Sequence, residues 1–200
     1  MTKALLVALV KLISGANVRW AGCNPEIRQR IYFANHTSHL DAVVVWASLP
    51  AAVREWVRPV AAKEYWTANG LRRFLAANVF HAVLIDRTKV TVRNNPIEFM
   101  LEGMGQRHSL IIFPEGGRSS GEEIGSFKSG IYHLAKEKPG IEMVPVHINN
   151  LNRVLPKGEF LPVPMLSCIS FGAPIILEPG ESKTAFLERA RAAICKLRPS

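Results

Sequence analysis

Apolar residues along the chain come in short runs, and the spacing between them changes repeatedly from a helical to a strand period. Leu5, Leu6, Leu9, Val10, Leu12 and Ile13 fall on a helical pattern over residues 3–13. Alternating or β-branched runs predict strands at 17–21, 30–34, near 57–62, at 80–85, at 109–113, near 142–147 and near 166–171. Between them lie helical patterns at about 40–49, 65–77, 96–105 and 128–137, and a last one from Ser182 to Leu197. Ser109 to Phe113 is the most apolar short run and the best candidate for a buried strand. Residues 114–126, rich in Gly, Ser and Glu, read as an exposed loop. Strands alternating with helices imply a single α/β domain with a mixed, partly parallel sheet flanked by helices. Functional loops are then expected at one end of that sheet.

Residues 1–15 read as an amphipathic helix in front of the main domain, 16–200. The apolar run from Ala4 to Val10 closes at Lys11, far short of the ~20 residues that span a bilayer. No small-residue cleavage site follows it, which argues against a signal peptide. Lying flat, such a helix suits a membrane interface, with Lys3 and Lys11 near anionic headgroups; the alternative is packing against the protein's own sheet.

Of 200 residues, 48% are hydrophobic and 20% charged, which supplies a core and excludes a disordered chain. The net charge of +9 points to an anionic partner: a membrane surface, phosphorylated molecules or nucleic acid. Residues 53–93 carry eight of the Lys and Arg against three acids, and Trp46, Trp56 and Trp66 lie in or just before them. That mixture suits a lipid interface or single-stranded nucleic acid, or simply core tryptophans beneath a solvated face. No nucleic-acid motif is present, so no nucleic-acid partner is expected. Cys23, Cys168 and Cys195 form neither a metal pair nor a disulfide framework and read as buried thiols in a reducing compartment.

Two constellations carry chemistry. The first, Asn35-His36-Thr37-Ser38-His39-Leu40-Asp41, falls where a strand ends and a helix begins. Ser38-x-x-Asp41 alone resembles a capping box, with Ser38 or Thr37 as N-cap. Five residues apart on one ideal helix, His36 and Asp41 would point about 140° apart, so their contact requires His36 to lie outside the helix. Asp41 can then fix the imidazole tautomer and leave the other nitrogen as a general base. His36, His39 and Asp41 offer three metal ligands, but nothing at a recognisable spacing completes a zinc site, and no metal is expected.

The second constellation is Phe113-Pro114-Glu115-Gly116-Gly117-Arg118-Ser119. Paired glycines let backbone N–H groups approach an anion, and Arg118 offers a planar charged fork for phosphate; an ordinary Gly-rich turn with a solvated Arg is the plainer reading. Lys128 adds a cation just before a helix. Gly117 to Gly121 also spells G-x-S-x-G, yet a polar stretch follows Ser119 where a nucleophile elbow needs a helix, and no Asp lies after it.

In this order and about 80 residues apart, the two constellations resemble the NHxSxxD and FPEGTRS blocks of the lysophosphatidic acid acyltransferase family. Ala62-Lys63-Glu64, Leu84-Ile85-Asp86-Arg87, Phe127-Lys128-Ser129-Gly130, Val144-Pro145-Val146 and Phe171-Gly172-Ala173-Pro174-Ile175 are similar to further blocks, so the likeness runs over roughly residues 16–195. Gly117 stands where the family usually has threonine, and the region ahead of the His block is short, with no long hydrophobic anchor. The resemblance implies acyl transfer from acyl-CoA or acyl-carrier protein to a lysophospholipid hydroxyl, most simply 1-acyl-sn-glycerol-3-phosphate giving phosphatidic acid. No cofactor is implied beyond that co-substrate. His36 and Asp41 would be the catalytic pair. Lys63 and Arg118 would hold the acceptor phosphate, Glu115, Gly116, Gly117 and Ser119 would shape its pocket, and Arg87 and Lys128 would support it. A peripheral protein on the cytoplasmic face of a membrane is the expectation; a non-catalytic lipid-binding protein is the alternative.

Overall fold

The structure is a computed structural model and describes residues 3–86, 94–119, 123–151 and 167–198. Its centre is a seven-stranded sheet of β1 (Asn17–Ala21), β2 (Arg30–Ala34), β3 (Val57–Ala62), β4 (Val83–Ile85), β5 (Ser109–Ile112), β6 (Glu142–Asn149) and β7 (Cys168–Gly172). Their spatial order is β1-β7-β6-β2-β5-β3-β4. Every neighbouring pair is parallel except β6 and β7, so five strands run one way and two the other. The mixed, partly parallel α/β sheet is the one predicted.

Strand alternation sorts the core into two layers. Tyr32, Ala34, Ile111, Val144 and Val146 face one side and pack with α1 (Lys3–Ser14), α2 (Asp41–Ser48) and α3 (Ala51–Arg54). Ile31, Phe33, Leu110, Ile112 and Met143 face the other side, against α6 (Pro96–Met104), α7 (Gly130–Glu137) and α8 (Lys183–Cys195). Strands covered on both faces need near-continuous apolar sequence, which is why Arg30–Ala34 and Ser109–Ile112 are buried at every position.

The predicted helix at 65–77 is two short helices, α4 (Lys63–Trp66) and α5 (Gly70–Phe74), followed by a π-helical turn at Leu75–Val79. Thr67 and Asn69 favour local hydrogen bonds over helix continuation. Thr67 Oγ1 donates to the Lys63 carbonyl, and Asn69 restarts the chain as an N-cap accepting from the Arg72 N–H at 2.9 Å. The strand expected at 80–85 begins only at Val83, because His81 takes a left-handed φ of 47°.

The N-terminal helix does two things at once. Leu6 and Val7 are buried in the layer beside α2, while Leu5, Leu9 and Leu12 are exposed. Two of the three tryptophans pack inward: Trp46 is 2% exposed and Trp66 packs on the same core, whereas Trp56 is half-buried beside His108. Cys23, Cys168 and Cys195 are unpaired and half-buried rather than buried. Among the described residues no helix is long and apolar enough to cross a membrane.

Candidate active site

The carboxyl ends of β2, β5, β3 and β4 lie side by side, and each sequence motif begins there. His36 follows β2, Phe113–Ser119 follows β5, Lys63 follows β3, and Asp86 follows β4. Arg87 is one residue further and lies outside the described residues. This is where an open α/β sheet collects ligands, because the loops leaving parallel strands meet at one edge.

The chain departs from the sheet at Asn35. Its buried amide pairs with the backbone of Ile148, donating to the carbonyl at 3.0 Å and accepting from the N–H at 2.8 Å. The side chain thus continues the ladder to β6 while the backbone is released to turn. His36 can then leave the sheet without stranding polar groups.

Asp41 is fully buried and organises the turn. Its Oδ2 accepts from the Thr37 N–H at 2.6 Å, from the Ser38 N–H at 2.9 Å, and from His36 Nδ1 at 2.8 Å. The oxygen that orients His36 thus also makes the reach-back bond of a capping box, to the Ser38 N–H, without the cap itself. Neither Ser38 nor Thr37 is the N-cap; Leu40 holds that place with no side-chain cap, and Asp41, the first helical residue, reaches back to the turn that precedes it. A carboxylate oxygen already accepting two N–H groups requires a donor at His36, so the proton sits on Nδ1 and the lone pair on Nε2. The imidazole is 19% exposed and stacks on Phe113 at 4.3 Å, which fixes its plane.

The glycine-rich loop wraps this histidine from the other side. Glu115 Oε1 accepts from the His36 N–H at 2.8 Å, and Oε2 accepts from the Gly125 N–H at 2.9 Å. Glu115 therefore shapes the site as a strut between loops. The Ser119 N–H donates to the His36 carbonyl at 2.9 Å, and its Oγ lies 3.5 Å from the same oxygen, directed at backbone rather than at the imidazole. That is no nucleophile–base pair. Gly116 takes φ +73°, and the aliphatic chain of Lys128 crosses where its Cβ would stand. The Lys128 N–H donates to the Pro114 carbonyl at 2.8 Å, tying α7's approach to the loop. Gly117 faces open space.

Arg118 is half-buried beside this corner. His39 extends outward and stacks on Tyr65 at 4.5 Å, with the Arg72 guanidinium over Tyr65 at 4.2 Å. The His39 pKa is lowered, first by partial desolvation of the stacked ring and then by the positive charges of Arg118, His36 and Arg72. Among the described residues no three His, Cys, Asp or Glu side chains cluster as metal ligands. The structure thus assembles His36, Asp41, Glu115, Gly116, Gly117, Arg118, Ser119 and Lys128 around one corner, with Lys63 exposed at the neighbouring strand end. Tyr65 and Arg72 were not singled out from sequence as site residues; their signal, an aromatic seven residues before an arginine, is too common to carry meaning alone.

Fold and corner define an α/β protein built around an oriented histidine–aspartate pair beside a glycine-rich loop that carries an arginine. The family model described as Acyltransferase matches residues 23–149, and the chain belongs to that family. It is 28% identical over 175 residues to a 1-acyl-sn-glycerol-3-phosphate acyltransferase of Limnanthes douglasii, covering 86% of this chain and 59% of that protein. It is 30% identical over 138 residues to the protein of that name from Escherichia coli, covering 62% of this chain and 51% of the relative. The chain thus spans between half and three-fifths of the length of these relatives. Its fold is similar to the crystal structure of the 1-acyl-sn-glycerophosphate (LPA) acyltransferase PlsC from Thermotoga maritima, with TM-score 0.70 at 20% identity over 97% of this chain and 78% of that one.

Proposed function

We propose that this protein transfers an acyl group from a thioester, acyl-CoA or acyl-carrier protein, to the free hydroxyl of 1-acyl-sn-glycerol-3-phosphate, forming phosphatidic acid. The observation that carries this reading is the His36 Nδ1–Asp41 Oδ2 bond at 2.8 Å, which leaves Nε2 as the base. The acceptor O–H proton passes to Nε2 as its oxygen attacks the thioester carbonyl. The tetrahedral intermediate then expels the thiolate, and the proton on Nε2 goes to the departing sulfur. Asp41 stabilises the imidazolium formed in between. No covalent enzyme intermediate is needed, since a thiolate is already a good leaving group. In this reading Arg118 and Lys63 hold the acceptor phosphate, and the names of the relatives support that acceptor.

A lipid acceptor implies work at a membrane surface. The exposed apolar residues Leu5, Leu9 and Leu12 of α1 and Leu71 and Phe74 of α5, with Arg72 and Arg73 among them, suit an anionic leaflet on the cytoplasmic face. The test is a transfer assay with the purified full chain, against a panel of lysophospholipids and both donor types. Transfer to 1-acyl-sn-glycerol-3-phosphate is expected, with His36→Ala lowering kcat by about 10²–10⁴-fold. Undiminished transfer by that variant, or an acyl chain trapped on Ser119, refutes the mechanism.

A further inference from the structure

Beside the histidine block stands a stack that the acyl-transfer chemistry above does not use. The His39 ring lies on Tyr65 with centroids 4.5 Å apart and planes 10° from parallel. Arg72 sits over the same tyrosine, 4.2 Å from its centroid. A guanidinium held over a ring face by its charge leaves N–H groups available to an anion. The backbone beneath is held too. The Arg72 N–H is capped by Asn69, and the neighbouring Arg73 side chain donates to the Thr67 carbonyl at 3.2 Å.

The stack sets this arginine beside the histidine block. His39 is three residues from His36, and the loop bearing Arg118 is fastened to His36 through the Ser119 N–H. Arg72 shares the Tyr65 ring with His39, and the charges of Arg118 and Arg72 both lower the His39 pKa. Neither is paired with a carboxylate among the described residues. Like charges gathered around one ring repel, and a ligand of double negative charge relieves that repulsion.

We propose that Arg72 is a specificity-determining residue which, with Arg118, binds the phosphate monoester dianion of the acceptor, and that Tyr65 and His39 are the positioning residues that hold it there. The assignment presupposes transfer to a phosphorylated acceptor, as proposed above. It places recognition partly on α5, the same short helix whose Leu71 and Phe74 are exposed to the surroundings. An acceptor would then be gripped by its headgroup at the edge from which it arrives.

The experiment compares Arg72→Gln, Arg72→Lys, Tyr65→Leu and Tyr65→Phe in the full chain, measuring KM for 1-acyl-sn-glycerol-3-phosphate and for the thioester separately. Arg72→Gln is expected to raise the acceptor KM about ten- to hundredfold, as loss of a charge-assisted contact does, while the thioester KM moves less than about twofold. Its preference for the phosphorylated acceptor over a phosphate-free monoacylglycerol should narrow by the same factor. Arg72→Lys should recover only part of the loss, because an ammonium lacks the planar fork. Tyr65→Leu should raise the acceptor KM severalfold and Tyr65→Phe should not, because the ring and not the hydroxyl carries the stack. An acceptor KM within twofold of wild type for Arg72→Gln overturns the proposal. So does an equal or larger rise in the thioester KM, which would assign Arg72 to a donor phosphate. A second readout separates this idea from the enzymatic reading: inorganic phosphate titrated against wild type and Arg72→Gln, followed by NMR of the His39 ring. If wild type transfers no acyl group, the enzymatic reading fails, yet weaker phosphate binding by Arg72→Gln still supports this site and unchanged binding refutes it.

Discussion

The corner that holds His36 and the rim formed by α4, α5 and the π-helical turn adjoin one another and are built on opposite principles. The corner is fixed by directed hydrogen bonds: Asn35 to Ile148, Asp41 Oδ2 to two backbone N–H groups and His36, Glu115 to His36 and Gly125. The rim relies on ring faces, His39 on Tyr65 and Arg72 on Tyr65, with Leu71 and Phe74 exposed at 70% and 57%. Buried hydrogen bonds are directional and fix atoms closely, whereas stacked rings tolerate sliding. Chemistry that needs a nitrogen lone pair at one point is served by the first. Recognition of a flexible lipid at an interface is served by the second.

The largest effect that probes this contrast belongs to Asp41→Asn. The amide can place its oxygen where Oδ2 lies and its NH₂ where the buried, unpartnered Oδ1 lies, so the turn survives. What is lost is the negative charge that stabilises the imidazolium. We expect kcat to fall about a hundredfold or more, with the melting temperature and acceptor KM little changed. If KM rises in step with the fall in kcat, the corner is positioning substrate instead of activating it.

The difference between the two regions also sets what the sequence disclosed. Strand periods, the order of motifs and the His36–Asp41 contact were legible because each is local: a cap, a spacing, a strand end. The mixed sheet followed from alternation, whereas the short α3 was missed and β4's start and the 65–77 helix were misplaced. Those two misplacements lie on or beside the rim, where Thr67 and Asn69 break a helix that hydrophobic period alone would continue, and where His81 bends the chain left-handed. The tryptophans of this stretch mislead for a related reason. Composition counts them, but only packing shows that Trp46 and Trp66 face the core while Leu71 and Phe74 do not. The Arg72 stack depends on bringing α5 beside the His block, which no spacing encodes. Neither did spacing reveal that one oxygen of Asp41 holds both the turn and the imidazole.

A second test concerns the strand to which the corner is tied. His147, beside the Ile148 that Asn35 grips, is 6% exposed, and its pKa is lowered to about 4 by burial and by the charges of Arg198 and Arg19. The folded protein therefore keeps it neutral where the unfolded chain, with a pKa near 6.5, takes up a proton. Stability is full above about pH 6.5 and falls as pH drops toward 4, by roughly 3 kcal/mol at the end of that window. Urea unfolding at pH 7 and pH 4.5 should show most of this loss in wild type and not in His147→Gln. Equal pH dependence in the two proteins would mean that β6 is not what acid undermines.

The rim should answer to lipid. Leu71→Ser and Phe74→Ser are each expected to weaken binding to anionic vesicles by up to about tenfold, the transfer value of one large apolar side chain, with little change in stability because both are already exposed. Phe99→Ser, on the opposite layer, serves as the control and should bind as wild type does. Removing residues 1–14 is the wrong test of α1, because Leu6 and Val7 belong to the core; Leu5→Ser, Leu9→Ser and Leu12→Ser leave that packing intact. Vesicle binding indifferent to all five exposed positions, or equal on neutral lipid at high salt, would remove the interface from this face.

The smallest effect expected is within the corner itself, at Gly117→Thr. Rigidity there is a property of particular atoms, and two adjacent glycines divide on it. Gly116 takes φ +73°, where a side chain is strained, and its Cβ would stand 2.7 Å from Cδ and Cε of Lys128. Lys128 can swing aside, but the backbone cannot, so Gly116→Ala should cost about 1–2 kcal/mol from the left-handed conformation alone. Gly117 has no left-handed φ and nothing within 4 Å of a built Cβ. A threonine, the residue usual in the resembling motif, therefore enters without displacing anything, and restricting the unfolded chain offsets the side-chain entropy it loses on folding. We expect stability within about 0.5 kcal/mol of wild type, as for surface substitutions, and transfer rates within twofold. A loss comparable to that of Gly116→Ala would show that the space above Gly117 is filled when substrate binds, and that the loop contributes a contact there which only glycine permits.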